Sequence, residues 1–259
     1  MLDFMEITRL PIFLLILVRL LAFFVVVPLF SYRTIPTVFK IGLSFFLALI
    51  MVTNVDTTTI VFQEPYIILL LKEIFVGLFI GWIAYMIVSA VQIAGGFIDF
   101  QMGFAIANVV DPQTGAQSPI IGQYFYIIVL LFLLSVNGHH LLIDGIYSSF
   151  QIIPLDTLVP IQNETIPIYV LKMFSTMFLI AFQISIPIVG CLFLVDVALG
   201  IIARTVPQLN VFVVGLPLKI LVSFVVLFLF MSLFIGLSKI LFETMFETMH
   251  GLMRILGGA

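Results

Sequence analysis

The stretch "YIILLLKEIFVGLFIGWIAYMIVSAVQIA", Tyr66–Ala94, carries only two charged residues, Lys72 and Glu73, and both lie near its start. A bilayer core about 30 Å thick is crossed by about 20 helical residues, so this stretch is long enough to span it. Backbone amides and carbonyls find no water inside lipid, and an α-helix pairs them within the segment. The stretch therefore predicts an apolar membrane helix.

The rest of the chain has the same character. Of its 259 residues, 63% are hydrophobic and only 9% are charged, whereas about 25% of residues are charged in an average soluble domain. Further apolar runs of comparable length are Leu10–Phe30, Thr34–Thr53, Ile120–Asn137, Ile166–Val195 and Val211–Leu237. Proline lacks a backbone donor, so Pro187, Pro207 and Pro217 should kink or end helices. We predict an all-α polytopic membrane protein of about six long, tilted or kinked apolar helices in hairpins, forming one domain over residues 1–259.

The composition also excludes some classes of protein. The formal net charge is −3, which argues against nucleic acid as a partner. The single cysteine, Cys191, rules out a disulfide framework within the chain and a multi-cysteine metal site.

Residues 237–259 have a different pattern. Lys239, Glu243, Glu247 and His250 recur every three or four residues, with apolar residues between them. This period predicts an amphipathic helix that lies on the membrane or against a partner. A helix that merely continues the last apolar run into water is an equally good interpretation.

Candidate catalytic side chains are few. His140 and Asp144 stand four residues apart, on one helical face, and His139 precedes them. The zinc motif H-E-x-x-H and the nucleophile motif G-x-S-x-G are absent. We favour a structural His–Asp hydrogen bond near a helix end over metal or acid–base chemistry, which remains the enzyme hypothesis. We predict no enzyme, no catalytic residue, no cofactor and no metal.

Several charges fall inside apolar runs: Arg19, Lys72, Glu73, Asp196 and Lys219. A lone charge at the bilayer centre costs about 2.5–3.5 kcal/mol on insertion scales, so such residues pair with one another or face water. They could form a proton or ion pathway, or structural ion pairs that hold a helix bundle or a partner subunit. We favour the second interpretation because no chain of acidic residues runs through the sequence. Lys72 and Glu73 are adjacent and point to different faces, so each is expected to pair with another helix.

Small residues mark two positions in the third apolar run. Gly77 and Gly81 form a G-x-x-x-G pattern, which lets another helix approach closely. Gly95 and Gly96 permit a break at the end of the run.

A polar stretch follows at once: "FIDFQMGFAIANVVDPQTGAQSPIIGQ", Phe97–Gln123, without Lys or Arg. Its Asp-Pro, Thr-Gly and Ser-Pro pairs are typical of turns. Irregular backbone at membrane depth is tolerated only where protein buries it or water lines it. The stretch is therefore either a solvent loop or a re-entrant segment bordering a pore. Four apolar residues slightly favour the second interpretation, because an apolar constriction can close a pore by excluding water: Phe104, Ile106, Val109 and Val110.

Three blocks of the chain resemble the FliR family of flagellar biosynthesis proteins, which includes the equivalent subunits of virulence-type type III secretion systems. Ala94–Phe150 has A-G-G, Q-M-G-F, D-P and N-G-H-H in the family's order. Arg19–Ser44 fits an R…P-x-F…I-P pattern. Val195–Lys219 fits the most specific pattern, D-x-x-L-G-x-x-A-R-x-x-P-Q-x-N-x-F-x-x-G-x-P-x-K.

The resemblance implies a core channel subunit of the flagellar type III protein export gate. Such subunits assemble with FliP-like and FliQ-like membrane subunits, beside an FlhB-like subunit, into a helical spiral around a channel. Unfolded flagellar substrates would cross the bacterial inner membrane through it, at the base of the flagellum, in contact with membrane lipid. The alternative is a multi-pass secondary transporter with broken helices.

The resemblance also implies roles for particular residues. A plug that helps to close the channel would include Gln101, Met102, Gly103, Phe104, Ile106, Asn108, Val109, Val110, Asp111, Pro112 and Gly115. The charged residues of the apolar runs are already predicted to form structural ion pairs or subunit contacts, and the resemblance adds Arg204, about two helical turns from Asp196. The full set is Arg19, Lys72, Glu73, Asp196, Arg204 and Lys219.

Overall fold

The computed structural model describes residues 9–32, 34–54, 64–104, 119–159, 165–206, 208 and 210–258. Within these ranges the regular structure is helical, with no strand, so the all-α prediction is confirmed. The helices are α1 (Leu10–Val26), α2 (Thr37–Asn54), α3 (Tyr66–Met102), α4 (Ile120–Ser135), α5 (Gly138–Ile152), α6 (Thr165–Thr205) and α7 (Val211–Leu256).

The helices differ in their capacity to cross a membrane. Within the described residues, α3, α6 and residues 213–256 of α7 are each long and apolar enough to span it. Helices α4 and α5 would make a fourth span if the pair, bent by 75°, counts as one. The shorter helices α1 and α2 are apolar as well. All six predicted apolar runs are thus helical, but they are not six equal crossings.

Three helices run further than their sequences predict. α3 continues through Gly95 and Gly96 to Met102, so the predicted break is wrong. Pro187 and Pro217 lie inside α6 and α7 without ending them, and Pro207 lies outside the described residues. The chain instead turns between α4 and α5 at Asn137, whose φ of 57° is left-handed. Asparagine tolerates this conformation better than most residues other than glycine.

The chain divides into two compact units. Unit 1 comprises Met1–Ile87, Leu133–Phe174 and Glu243–Ala259. Unit 2 comprises Val88–Phe132 and Ser175–Phe242. The assignment of residues 1–259 to a single domain stays a prediction.

Gly77 and Gly81 of α3 determine how closely two helices of unit 1 pack. A side chain at Gly77 would overlap the backbone carbonyl of Arg19 and come within 2.9 Å of Ala22 Cβ. A Cβ at Gly81 would stand 3.0 Å from the carbonyl oxygen of Phe23. The two glycines therefore let α1 lie almost directly on α3.

The end of the chain packs within unit 1. Residues 237–256 are the last part of α7 rather than a separate helix. Their apolar face is buried, at Met245, Met249, Leu252 and Met253, while Glu243, Glu247 and His250 on the opposite face are exposed. The Tyr169 hydroxyl of α6 donates to the carbonyl of Thr248 at 3.0 Å. The amphipathic pattern is therefore present, and this chain itself covers much of its apolar side.

Unit 2 has an aromatic and aliphatic core. The Phe125 and Phe234 rings stack with their centroids 4.3 Å apart, and Val129, Ile184 and Ile188 are buried. Many other apolar side chains of its helices are exposed, such as Phe228 at 82%. The most apolar windows of α6 and α7 are only 17% buried, against 61% for α3. An apolar surface of this extent needs lipid or another protein to cover it.

Candidate functional site

The structure describes the entry into the predicted plug. Gln101, Met102, Gly103 and Phe104 are described. The remaining predicted plug residues lie outside the described residues: Ile106, Asn108, Val109, Val110, Asp111, Pro112 and Gly115. The described residues of the polar stretch form its stem, where α3 ends and α4 begins.

Gly103 ends α3 in a Schellman motif. Its amide bonds to the carbonyl of Phe100 at 3.2 Å, and the Phe104 amide bonds to the carbonyl of Asp99 at 2.9 Å. The motif requires a left-handed residue after the helix, and Gly103 supplies it with φ of 89°. A side chain there would also meet Leu216 Cδ1 at 2.9 Å. This explains physically why glycine stands in Q-M-G-F.

Asp99 ties the start of α4 to α3. Its two carboxylate oxygens accept from the amide of Ile121 at 3.3 and 3.2 Å, and the residue is 1% exposed. The first amides of a helix lack partners within the helix, and Pro119, just before α4, has no side-chain oxygen to offer them. A carboxylate also suits the positive end of the helix dipole. The sequence does not predict this role, because Asp99 and Ile121 are 22 positions apart.

Two glycines bring the same helices into backbone contact. A Cβ at Gly95 would overlap the backbone of Gly122, and a Cβ at Gly122 would lie 2.8 Å from the carbonyl oxygen of Gln92. Both ends of the polar stretch are therefore fixed to each other at the stem.

A second set of polar contacts joins the end of α3 to α6 and α7. Gln101 Nε2 donates to Asp196 Oδ2 at 2.7 Å, and Lys219 Nζ pairs with Asp196 Oδ1. The Lys219 ammonium also donates to the backbone carbonyl of Gln101 at 3.4 Å. The side chains of Lys219 and Asp196 are 19% and 37% exposed. We call Gln101, Asp196 and Lys219 the stem cluster.

Arg204 lies apart from the stem cluster. It is exposed in the last turn of α6, and it makes no ion pair with any residue in the described ranges. Its contact with another subunit stays a prediction.

Unit 1 contains a second polar group, Arg19, Lys72 and Glu73, which we call the elbow cluster. Arg19 and Glu73 are fully buried and joined in a bidentate pair, through Nε with Oε2 and through Nη2 with Oε1 at 3.0 Å. Lys72 Nζ stands 2.6 Å from Glu73 Oε1. Lys72 and Glu73 therefore pair with each other as well as with other elements, whereas their adjacent positions predict partners on other helices alone.

The remaining donors of the elbow cluster bind the end of α5 and the residues just after it, mostly at backbone carbonyls. Arg19 donates to Ser149 O at 3.0 Å, Ser149 Oγ at 3.1 Å and Ile153 O at 3.1 Å. Lys72 donates to Pro154 O at 2.7 Å and Leu155 O at 3.3 Å. The guanidinium carbon also lies 4.2 Å from the centre of the Phe150 ring. Positive charge suits the carbonyl end of a helix.

The number of N–H donors in the elbow cluster distinguishes a structural role of these charges from an ion pathway. A guanidinium has five N–H donors and an ammonium has three. The bonds above use all five on Arg19 and all three on Lys72. A cluster without a spare donor is suited to holding helices together, and this favours the structural interpretation over an ion pathway.

The histidine pair lies at the start of α5. The His139 and His140 rings are 4.1 Å apart, and no hydrogen bond joins the described side chains of His140 and Asp144. Within the described ranges, no three His, Cys, Asp or Glu side chains are grouped closely enough to hold a metal ion.

Comparison with known proteins places these features in a family. The family described as "Bacterial export proteins, family 1" matches residues 10–245. The flagellar biosynthetic protein FliR of Bacillus subtilis (strain 168) is 60% identical over 219 residues, which cover 84% of this chain and 85% of that protein. The Escherichia coli (strain K12) protein of the same name is 29% identical over 208 residues, covering 80% and 79%.

A relative with a different name matches a similar share of both chains. The Yop proteins translocation protein T of Yersinia pestis is 29% identical over 208 residues, which cover 79% of this chain and 80% of that protein. All of these matches extend over most of both chains. The chain therefore belongs to the FliR family of bacterial export proteins.

Proposed function

We propose that this protein is a core channel subunit of a flagellar type III protein export gate in the bacterial inner membrane. It passes unfolded substrates, and the segment from Gln101 to Ser118 helps to close the channel. The observation that carries the proposal is the stem. Both ends of a polar, turn-rich segment are fixed between apolar helices, and Gly103 ends α3 with a left-handed turn. Such an arrangement suits a segment held at membrane depth inside protein.

The partners follow from the exposed apolar surface and from the family. α6 and α7 leave most of their apolar windows uncovered by this chain. We assign that surface to membrane lipid and to FliP-like and FliQ-like subunits, with an FlhB-like subunit beside them. The subunit performs no chemical step of its own in this proposal. The chain is 60% identical to a flagellar biosynthetic protein and 29% identical to the Yop translocation protein. This difference favours a flagellar system over a virulence-type system.

The transporter alternative receives less support. It needs interrupted spans whose helix ends bind a solute near the bilayer midplane. α3, α6 and α7 are continuous over their whole described lengths. The only bent pair described, α4 and α5, turns at Asn137, and the elbow cluster at the far end of α5 has no spare donor for a solute.

Replacing Phe104, Ile106, Val109 and Val110 together with glycine tests the plug directly. Because the sealing groups are removed and the turn residues are kept, we expect an assembled gate that leaks ions or small solutes. Dye-reported membrane potential in cells that produce the complete gate measures the leak.

The matched control places leucine at the same four positions. Leucine keeps an apolar seal, so that gate should hold the membrane potential of the unsubstituted gate. A glycine variant that assembles and stays tight would show that this segment is not the plug.

A further inference from the structure

The structure brings together two groups of residues that the sequence keeps apart. Gln101 belongs to the predicted plug, whereas Asp196 and Lys219 were expected only to form structural pairs or subunit contacts. In the structure the Gln101 side chain bonds to Asp196 at 2.7 Å. Its backbone carbonyl accepts from Lys219 at 3.4 Å. The ion pair is therefore attached to the last turn of α3.

The stem is held in two different ways. On the α4 side, Asp99 is 1% exposed, and Gly95 and Gly122 are in backbone contact. On the α6 and α7 side, the ion pair is 19% and 37% exposed. The α4 side is therefore the more deeply buried of the two attachments, and the stem cluster is the more exposed one.

The stem cluster also lies next to the point where the chain leaves α3. Gln101 is two residues before Gly103, and Gly103 itself is in contact range of Leu216 on α7. Tilting the last turn of α3 away from α7 would displace Gly103 and Phe104. Holding Gln101 therefore fixes the position of these two residues.

We propose that Asp196 and Lys219 are positioning residues for the plug, acting through Gln101 to hold the last turn of α3 against α6 and α7. Lys219 orients the Asp196 carboxylate through the ion pair, and this carboxylate accepts a hydrogen bond from the side-chain amide of Gln101. The Lys219 ammonium also donates to the backbone carbonyl of Gln101. This inference rests on the proposed function, since it concerns how the same plug is kept closed.

Gln101→Leu separates this role from a purely structural one. The substitution removes the bond to Asp196 and leaves the ion pair between α6 and α7 intact. We expect normal assembly with its partner subunits and an ion leak raised about tenfold or more, because one hydrogen bond to a charged group is lost in the closed gate. The matched control is Gln183→Leu, at an exposed position on α6, which should leave the leak unchanged.

Charge exchange gives a second, independent readout. Asp196→Lys and Lys219→Asp should each raise the leak, because each places like charges together. The double variant restores an opposite pair, and the Gln101 side-chain amide can donate or accept, so the leak should fall part of the way back toward that of the original gate. Recovery is partial because a carboxylate at position 219 has no donor for the Gln101 backbone carbonyl. A purely structural pair would show rescue of assembly in the double variant with no change in leak in Gln101→Leu.

The outcomes distinguish this inference from the proposed function. If the four-glycine variant leaks and Gln101→Leu assembles but stays tight, the positioning role is wrong and the plug stands. If both variants assemble and neither leaks, the assignment of this segment as the plug is wrong, and the positioning role is wrong as well. If both leak and the double exchange variant recovers, the positioning role holds.

Discussion

Glu73→Gln should destabilise the protein by about 3–5 kcal/mol, the usual effect of removing one partner from a buried ion pair. Glutamine has nearly the shape of glutamate, so the packing around it is preserved and the change isolates the charge. Two buried cations, Arg19 and Lys72, would then lie side by side without the carboxylate that joins them. Since whole domains are stable by only about 5–15 kcal/mol, most of the variant should fail to accumulate in membranes.

The amount of full-length chain in membranes, and its thermal unfolding within the purified gate, measure this effect. Glu247→Gln is the matched control: the same substitution at an exposed position of unit 1, expected to change stability by no more than about 0.5 kcal/mol. If the two variants are equally stable, the elbow cluster does not hold unit 1 together.

Gly95→Ala and its neighbour Gly96→Ala should have opposite effects. A Cβ at Gly95 would overlap the backbone of Gly122, which cannot move without separating α3 from α4. Overpacking that forces the backbone to shift costs about 1–3 kcal/mol. A Cβ at Gly96 meets only Pro119 Cγ at 3.6 Å, an ordinary contact. There alanine should stabilise the helix by up to about 1 kcal/mol over glycine.

Thermal unfolding of the two variants, in the complete gate and under identical conditions, gives the comparison. Because the residues are adjacent and the substitution is the same, differences in expression and insertion cancel. Equal midpoints would mean that α3 and α4 do not cross at Gly95 and Gly122, and the description of the stem would then be wrong.

The helices of this protein could be predicted from sequence because lipid leaves the backbone few alternatives. The six long apolar runs became α1 to α4, α6 and α7 with nearly the expected starts, whereas α5 was not among the predicted runs. Their ends were harder to predict, since hydropathy does not report what a helix packs against. α3 passes Gly95 and Gly96 because close contact with Gly122 offsets the low helix propensity of glycine. α7 absorbs the amphipathic tail because unit 1 covers the apolar face of the tail.

The clusters could be predicted only in part. A charge inside an apolar run indicates that a partner exists, as Arg19, Glu73, Asp196 and Lys219 show. It does not identify the partner, since Arg19 and Glu73 are 54 positions apart and Gln101 and Asp196 are 95 positions apart. Asp99 gave no signal as a helix cap, because its acceptor role depends on how α4 meets α3.

The most direct test of the account is whether an exported polypeptide passes the segment that begins at Phe104. A photo-cross-linking residue in place of Phe104, in cells whose gate holds a stalled flagellar substrate, captures whatever lies next to that position. The account predicts an adduct with the substrate that disappears when the substrate is absent, and none from Phe182, an exposed residue of α6. A gate that exports normally but yields no substrate adduct at position 104, or equal adducts at both positions, would contradict it.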